Sequence, residues 1–208
     1  ALVHYLRARA YQMPIIAAEP LRAVVRAMCS AAGSTEYEAE LVADNLVMAN
    51  LSGHDSHGVG MLPAYFDNLH AGGLKVNQHA EVVRDEGAVL VVDGNAGFGQ
   101  VIGKESMDIA IARAKERGVC VLAIRNSHHL CRIGAWAEQC AAAGLVSMHH
   151  TNVTGHGGIV APFRGSDGRY VTNPYTAVMP ATENNPATLL DFATSFVAAG
   201  KIRVARNK

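Results

Sequence analysis

Two histidines, His128 and His129, stand side by side in RNSHHLC, after the apolar run VCVLAI and before RIGAWAEQCAAAG, which has helical spacing. A polar cluster at the C-terminal end of a buried strand is where open α/β folds place reactive groups. Imidazole titrates near neutral pH, so the pair suits proton transfer. It equally suits metal ligation, or a helix-entry turn with Asn126 or Ser127 as cap. Residue types alone leave all three open. A second cluster, GHDSHG, puts His54, Asp55, Ser56 and His57 in one loop. There Ser and His can donate to a carboxylate or a carbonyl; a turn whose Asp and Ser bond their own backbone is the plainer alternative.

Two further stretches invite a nucleotide. GFGQVIG lies between a strand pattern and a helix pattern, but GxGxxG needs its third glycine at 102, where Ile102 stands and Gly103 comes one residue late. Those glycines have separate geometric duties, and no acidic residue follows at about 20 residues, so a tight turn into a helix is the preferred reading. In TNP (Thr172 to Pro174) and LLDFATS (Leu189 to Ser195), Asp191 follows two leucines. A carboxylate at such a strand end can hold ribose hydroxyls, although Asp, Thr and Ser are more commonly turn formers. The ten histidines also permit a metal site from His54, His57, His128, His129, His149, His150 and His156. None has HExxH or CxxC-type spacing, so no metal is expected.

These groups need elements to position them. Residues 18–33 predict a helix with Leu21, Val24, Val25 and Met28 on one stripe, stopped by Gly33. Thr35 and Glu38 fit a capping box for the next helix, whose stripe is Leu41, Val42, Leu46 and Ala49. A short helix follows the GHDSHG loop and closes at Gly72 and Gly73. From Val76 the pattern changes to strands alternating with helices, which suggests parallel pairing in the middle of the chain. Residues 103–118 read as a helix ending at Gly118. A boundary near residue 75 divides a helical part, 1–75, from an α/β part, 76–208.

With 18 basic and 18 acidic side chains and a pI near 7.3, the chain offers no electrostatic footprint for nucleic acid or an anionic membrane. No apolar run reaches the roughly 20 residues of a membrane span. Four cysteines without CxxC spacing read as reduced thiols in a cytoplasmic protein. A small molecule or a second copy of the chain is the expected partner. The opening residues 1–16 lack an initiator Met and a cleavage pattern and read as a leader fragment or as a remnant of an expression tag.

NLSGHDSHGVGMLPAY, FGQVIGKESMDIAIARAKERGV, RNSHHLCRIGAWAEQCAAAGLVS, VAPF, TNP and LLDFATS, in this order, resemble the type-2 malate/L-lactate dehydrogenase family of NAD(P)-dependent oxidoreductases. The resemblance runs nearly unbroken from residue 15 to 208. It implies an α/β (α+β) fold, with a helical N-terminal part carrying the SHG loop and a non-Rossmann, largely antiparallel NAD(P)-binding domain. That displaces the parallel reading of the middle segment. It implies a homodimer, a 2-oxo or 2-hydroxy acid as substrate, and NAD or NADP as cofactor. The expected enzyme is thus a 2-hydroxycarboxylate dehydrogenase, equivalently a 2-oxo acid reductase.

The resemblance also separates the two histidines. It implies that His129 is the acid/base and that His128 occupies a position often taken by Asn. Ser56 and His57 fall near the substrate carboxylate and reacting oxygen, and Tyr65 matches a substrate-pocket tyrosine. Asp191, Phe192 and Ala193 match cofactor contacts, joined by Thr172, Asn173 and Thr151. Where some relatives carry Arg four residues after the SHG histidine, this chain has Met61; Arg132 is the expected substitute, since guanidinium pairs bidentately with carboxylate. GTNP appears as VTNP, with Val171. Relatives are considerably longer, so the chain is expected to be cut inside a larger protein. The rival readings are a histidine-cluster metal-dependent hydrolase and a truncated, non-catalytic nucleotide-binding remnant.

Overall fold

The computed structural model describes residues 15–154 and 157–196. The expectations for residues 1–14, for His156 as a ligand and for the closing residues 197–208 fall outside that range. Helices α1 (Ala18–Ala31) and α2 (Glu36–Leu51) pack on one another. The α1 stripe is rotated from the expected one: Val25 and Cys29 are buried, while Val24 and Met28 face out. The reason is α2, which buries Ala39, Val42, Ala43, Leu46, Val47 and Ala49 and leaves α1 only a narrow seam.

Only half of the capping box forms. Thr35 Oγ1 accepts from the Glu38 amide, but Glu38 does not reach back. Its buried carboxylate accepts instead from Ser34 Oγ at 2.6 Å and from the Asn77 amide at 2.8 Å. Asn77 Oδ1 takes the Thr35 amide at 2.7 Å. These bonds pin the linker after the helical part to the start of α2.

Two 3-10 turns, Asp55–His57 and Val59–Met61, replace a formless GHDSHGVG loop and lead into α3 (Leu62–His70). The first sheet is β1 (Glu81–Glu86), β2 (Val89–Asp93) and β3 (Val121–Arg125), with α4 (Gly99–Arg117) crossing between β2 and β3. β1 pairs antiparallel to β2 through a tight turn at Gly87, φ 72°. β2 pairs parallel to β3, because α4 is a crossover long enough to return the chain in the same direction. After α5 (Gly134–Ala142), strands β4 (Ser147–His150), β5 (Tyr175–Met179) and β6 (Thr188–Phe192) make a purely antiparallel sheet. The alternating pattern therefore holds for one pair, and the largely antiparallel arrangement for the rest. α5 lies between α4 and the second sheet.

Two cores result. One joins α1 to α3 with Leu74, Phe98, Val101 and Cys131, so it ties the first helices to the start of α4. The other packs Met107, Ile133, Trp136 and Cys140 between α4 and α5. Among the described residues no helix is long and apolar enough to cross a membrane.

Arg113 of α4 holds the β1–β2 hairpin: it donates to both oxygens of Asp85 at 2.7 Å and to the Gly87 carbonyl. Hydrogen bonds from this guanidinium hold the Asp85 carboxyl down to about 2. That lies below the unfolded carboxyl, near about 3.9. The pair's contribution is therefore present above about pH 4 and lost as pH falls toward 2. Arg113→Met is expected to flatten the loss of thermal stability over that window. An acid slope equal to that of the parent protein would deny the pair this role.

Candidate active site

The GHDSHG loop is held from α2. Asn50 Nδ2 donates to Asp55 Oδ1 at 2.7 Å, and Asn50 Oδ1 accepts from the Val59 amide at 2.9 Å. A side chain at Gly58 would collide with Asn50, so the loop can close over it only as glycine. Ser56 Oγ then bonds His57 Nδ1 at 2.9 Å.

The NSHH loop is held from α4, and here the off-register glycines find their use. A Cβ at Gly99 would lie 2.1 Å from the His129 carbonyl oxygen, and one at Gly103 would lie 2.6 Å from the Trp136 ring. These glycines sit inside α4, which begins at Gly99 and not after Gly103, and they let the histidine loop and α5 press onto its first turns. The expected tight turn lies just before α4, where the Gly97 amide donates to the Gly94 carbonyl, and the helix begins four residues earlier than Gly103. Asn126, at φ 52°, and Cys131, at φ 61°, reverse the loop backbone. Trp136 Nε1 donates to the Leu130 carbonyl, and the His128 amide donates to the Gly97 carbonyl.

The two loops meet at His129. Its ring stacks on His57 with centroids 5.4 Å apart. Its Nδ1 lies 2.7 Å from the Tyr65 hydroxyl. Tyr65 is 1% exposed, and burial keeps its phenol protonated well above the usual range. Gln100 Nε2 donates to the same hydroxyl at 3.2 Å. Cys131 Sγ donates to the His57 carbonyl at 2.8 Å, and burial pushes that thiol up to about 12, so it stays neutral. His128 meets Tyr65 edge-on, with centroids 5.2 Å apart. Burial lowers its pKa, which favours the neutral ring.

Neither Asn126 nor Ser127 caps α5, which has no side-chain cap at Ile133. Asp191, 57 residues away in sequence, supplies the acceptor: Oδ2 takes the Gly134 amide at 2.9 Å and Oδ1 takes Thr176 Oγ1 at 2.7 Å. A carboxylate suits a helix N-terminus electrostatically. Asp191 thus clamps the second sheet to the element that follows NSHH. Arg132 does not present itself to a ligand. Its side chain is 7% exposed and pairs bidentately with Glu138 at 3.1 and 2.5 Å. The substrate contact expected of Arg132 would require this ion pair to open.

A groove of about 300 Å³ lies along the β4 and β5 ends, lined by His150, Thr151, Asn152, Asn173, Tyr175 and Thr194. Asn173 donates to Asn152, while its own Oδ1 is buried with no hydrogen-bond partner among the described residues. Thr194 Oγ1 donates to the Thr172 and Asn173 carbonyls. Neutral hydroxyls and amides with an orphaned acceptor fit part of a dinucleotide. Phe192 turns to the opposite sheet face from Asp191 and packs edge-on against Tyr175; Ala193 is half-buried beside Thr194.

The structure therefore brings Ser56, His57, Tyr65 and His129 together and Thr151 and Asn173 together. Asp191 and Arg132 stand behind the first group as supports. Among the described residues no three His, Cys, Asp or Glu side chains converge as metal ligands. Sequence reasoning missed Gln100 and Asn50. Gln100 was legible only as the one polar residue inside the glycine cluster.

A model of the malate/L-lactate dehydrogenase family matches residues 16–208. The chain belongs to that family. Hydroxycarboxylate dehydrogenase B of Escherichia coli (strain K12) is 49% identical over 191 residues, covering 92% of this chain and 52% of that protein. L-lactate dehydrogenase of Cupriavidus necator is 40% identical over 170 residues, covering 82% and 49%. The solved structure of malate dehydrogenase from Pyrococcus horikoshii OT3 superposes with a TM-score of 0.83 at 35% identity, covering 90% and 53%. The chain spans about half the length of the malate/L-lactate dehydrogenase relatives it matches.

Proposed function

We propose that the protein interconverts a 2-oxo acid and the corresponding 2-hydroxy acid, with NAD or NADP as redox partner and His129 as acid/base. The observation that carries this reading is the His129 ring, held at Nδ1 by buried Tyr65 and flanked by the Ser56–His57 loop. Names of relatives as hydroxycarboxylate, lactate and malate dehydrogenases support it.

The nicotinamide ring, when bound, supplies hydride to the ketone carbon or accepts it from the alcohol. His129 delivers a proton to the ketone oxygen in reduction and takes the alcohol proton in oxidation, so hydride and proton together account for the two hydrogens gained. With Nδ1 engaged by Tyr65, Nε2 is the nitrogen that carries this proton. Ser56 and His57 would hydrogen-bond the substrate carboxylate and lie near the reacting oxygen. Thr151, Thr172, Asn173 and the Asp191–Ala193 segment would hold the cofactor, through neutral hydroxyls, amides and backbone.

With a division near residue 75, the helical part would carry His57 and Tyr65 and the α/β part would carry His129. A cytoplasmic setting fits the four free cysteines. A homodimer would cover apolar surface on the outer face of the second sheet, where Met148, Met179 and Leu190 are exposed.

The test is a panel of 2-oxo acids read by loss of NADH or NADPH absorbance, with the intact protein and a chelator present. Absorbance that falls with no substrate in the panel would end this reading. On the same panel Arg132→Met is expected to keep the ratio of dicarboxylic to monocarboxylic turnover. It should lower stability by about 1–3 kcal/mol, since a bidentate, nearly buried pair is lost while half-exposed Glu138 rehydrates. A large change in that ratio would return Arg132 to the substrate pocket.

A further inference from the structure

Gln100 lies inside the buried group around His129, on the first turn of α4 and so outside both substrate-facing loops. It is 1% exposed. Its Nε2 donates to the Tyr65 hydroxyl at 3.2 Å, and its Oε1 has no hydrogen-bond partner among the described residues. An orphaned acceptor in a dry site is costly. The second group beside this amide is the Cys131 thiol. A thiol is both a weak donor and a weak acceptor, so it tolerates either end of an amide.

A hydrogen-bond inventory follows from these contacts. A hydroxyl has one proton. In the arrangement seen, Gln100 N–H donates to the Tyr65 oxygen, so the Tyr65 O–H donates to His129 Nδ1, and neutral His129 carries its proton on Nε2. In the imidazolium, Nδ1 also bears a proton and must donate to the Tyr65 oxygen. The Tyr65 O–H then needs another acceptor. Turning the Gln100 amide by half a revolution supplies one, Oε1, without changing the shape of the side chain. The same turn satisfies the orphaned atom.

We propose that Gln100 is a positioning residue whose amide, by offering Tyr65 either a donor or an acceptor, lets Tyr65 hold His129 in both of its protonation states. This deepens the acid/base reading of His129 and rests on it. Among the described residues, the other groups facing His129 do not substitute for Gln100. His57 stacks face to face. His128, on the same loop, is kept neutral by burial. The buried Cys131 thiol stays protonated. Ser56 is bonded to His57, and Arg132 is compensated by Glu138.

The sign of the effect is fixed. Gln100→Leu removes the acceptor that the imidazolium state needs and leaves the buried Tyr65 O–H unsatisfied, whereas the neutral state keeps its Tyr65-to-Nδ1 bond and loses only the 3.2 Å bond onto the Tyr65 oxygen, which is the smaller cost. The midpoint of His129 ring titration, followed by nitrogen-15 NMR of the intact protein, is expected to fall by about one pH unit, the worth of one such hydrogen bond. The corresponding limb of the kcat profile should move with it while the cofactor KM stays the same. Gln100→Glu keeps an acceptor and should not lower the midpoint. Tyr65→Phe should lower it at least as far as Gln100→Leu, and the double variant should match Tyr65→Phe alone.

An unmoved midpoint in Gln100→Leu overturns the proposal. So does a double variant in which the two shifts add, because Gln100 would then act by some route other than Tyr65. Thermal midpoints identify a variant that fails to fold. If Gln100→Leu is such a variant, a Gln100→Glu midpoint below the parent's overturns the proposal and one at or above it upholds it. The NMR titration needs no turnover, so it decides the role of Gln100 even if every 2-oxo acid fails as a substrate.

Discussion

His129→Ala is expected to lower kcat for a 2-oxo acid by about 10²- to 10⁴-fold, the usual worth of a positioned acid/base, with the cofactor KM nearly unchanged. The structure explains why the effect belongs to His129 and not to its neighbour. Only His129 has its Nδ1 on the Tyr65 hydroxyl and its ring on His57. His128 offers Tyr65 its ring edge, and burial holds it neutral. His128→Asn should therefore cost turnover far less. Equal losses in the two variants, or wild-type turnover in His129→Ala, would remove the acid/base role from His129. Stopped-flow measurement of a single turnover separates this effect from product release.

Gly99→Ala should be nearly as damaging, although it adds one methyl group to a residue that itself makes no proposed substrate contact. In an exposed helix the change would stabilise by roughly 1 kcal/mol. Here the new Cβ would stand 2.1 Å from the His129 carbonyl oxygen and 2.4 Å from its carbonyl carbon. Both are backbone atoms, so no side-chain rotation relieves the contact. The loop must shift by roughly 1 Å, and misplacement on that scale costs about 10²-fold in rate. Overpacking of this kind costs about 1–3 kcal/mol, which outweighs the gain in helix propensity. The expected result is a depressed kcat together with a lower thermal midpoint. Full turnover in Gly99→Ala would show that the loop does not depend on this contact.

Much of the fold was legible because its signals are local. Helix periodicity, the glycine stops at Gly33 and Gly118, and the apolar runs of β2 and β3 each depend on neighbours in sequence, and the elements formed close to where they were expected. The errors came where a partner lies far along the chain. The α1 stripe turned because α2 dictated which side it could bury. Glu38 left its capping box because Asn77, 39 residues on, offered a better donor. The cap of α5 came from Asp191 and not from Asn126 or Ser127.

The candidate site divides in the same way. The motifs in order, from SHG through NSHH to LLDFATS, were enough to place the chain in its family and to single out His129, because residue types at fixed spacing persist in a linear text. Whether a charged or polar group is available to a ligand does not appear in that text. Arg132 and Asp191 both looked ready to bind, yet each is occupied within the protein, by Glu138 and by Gly134 with Thr176. The glycines at 99 and 103 resembled a faulty phosphate loop until the backbone of His129 and the ring of Trp136 came to rest against them. By itself the sequence determined which groups could do chemistry. Only the tertiary structure decided which of them are committed to holding the others, because burial and pairing are contacts between residues that the chain keeps far apart.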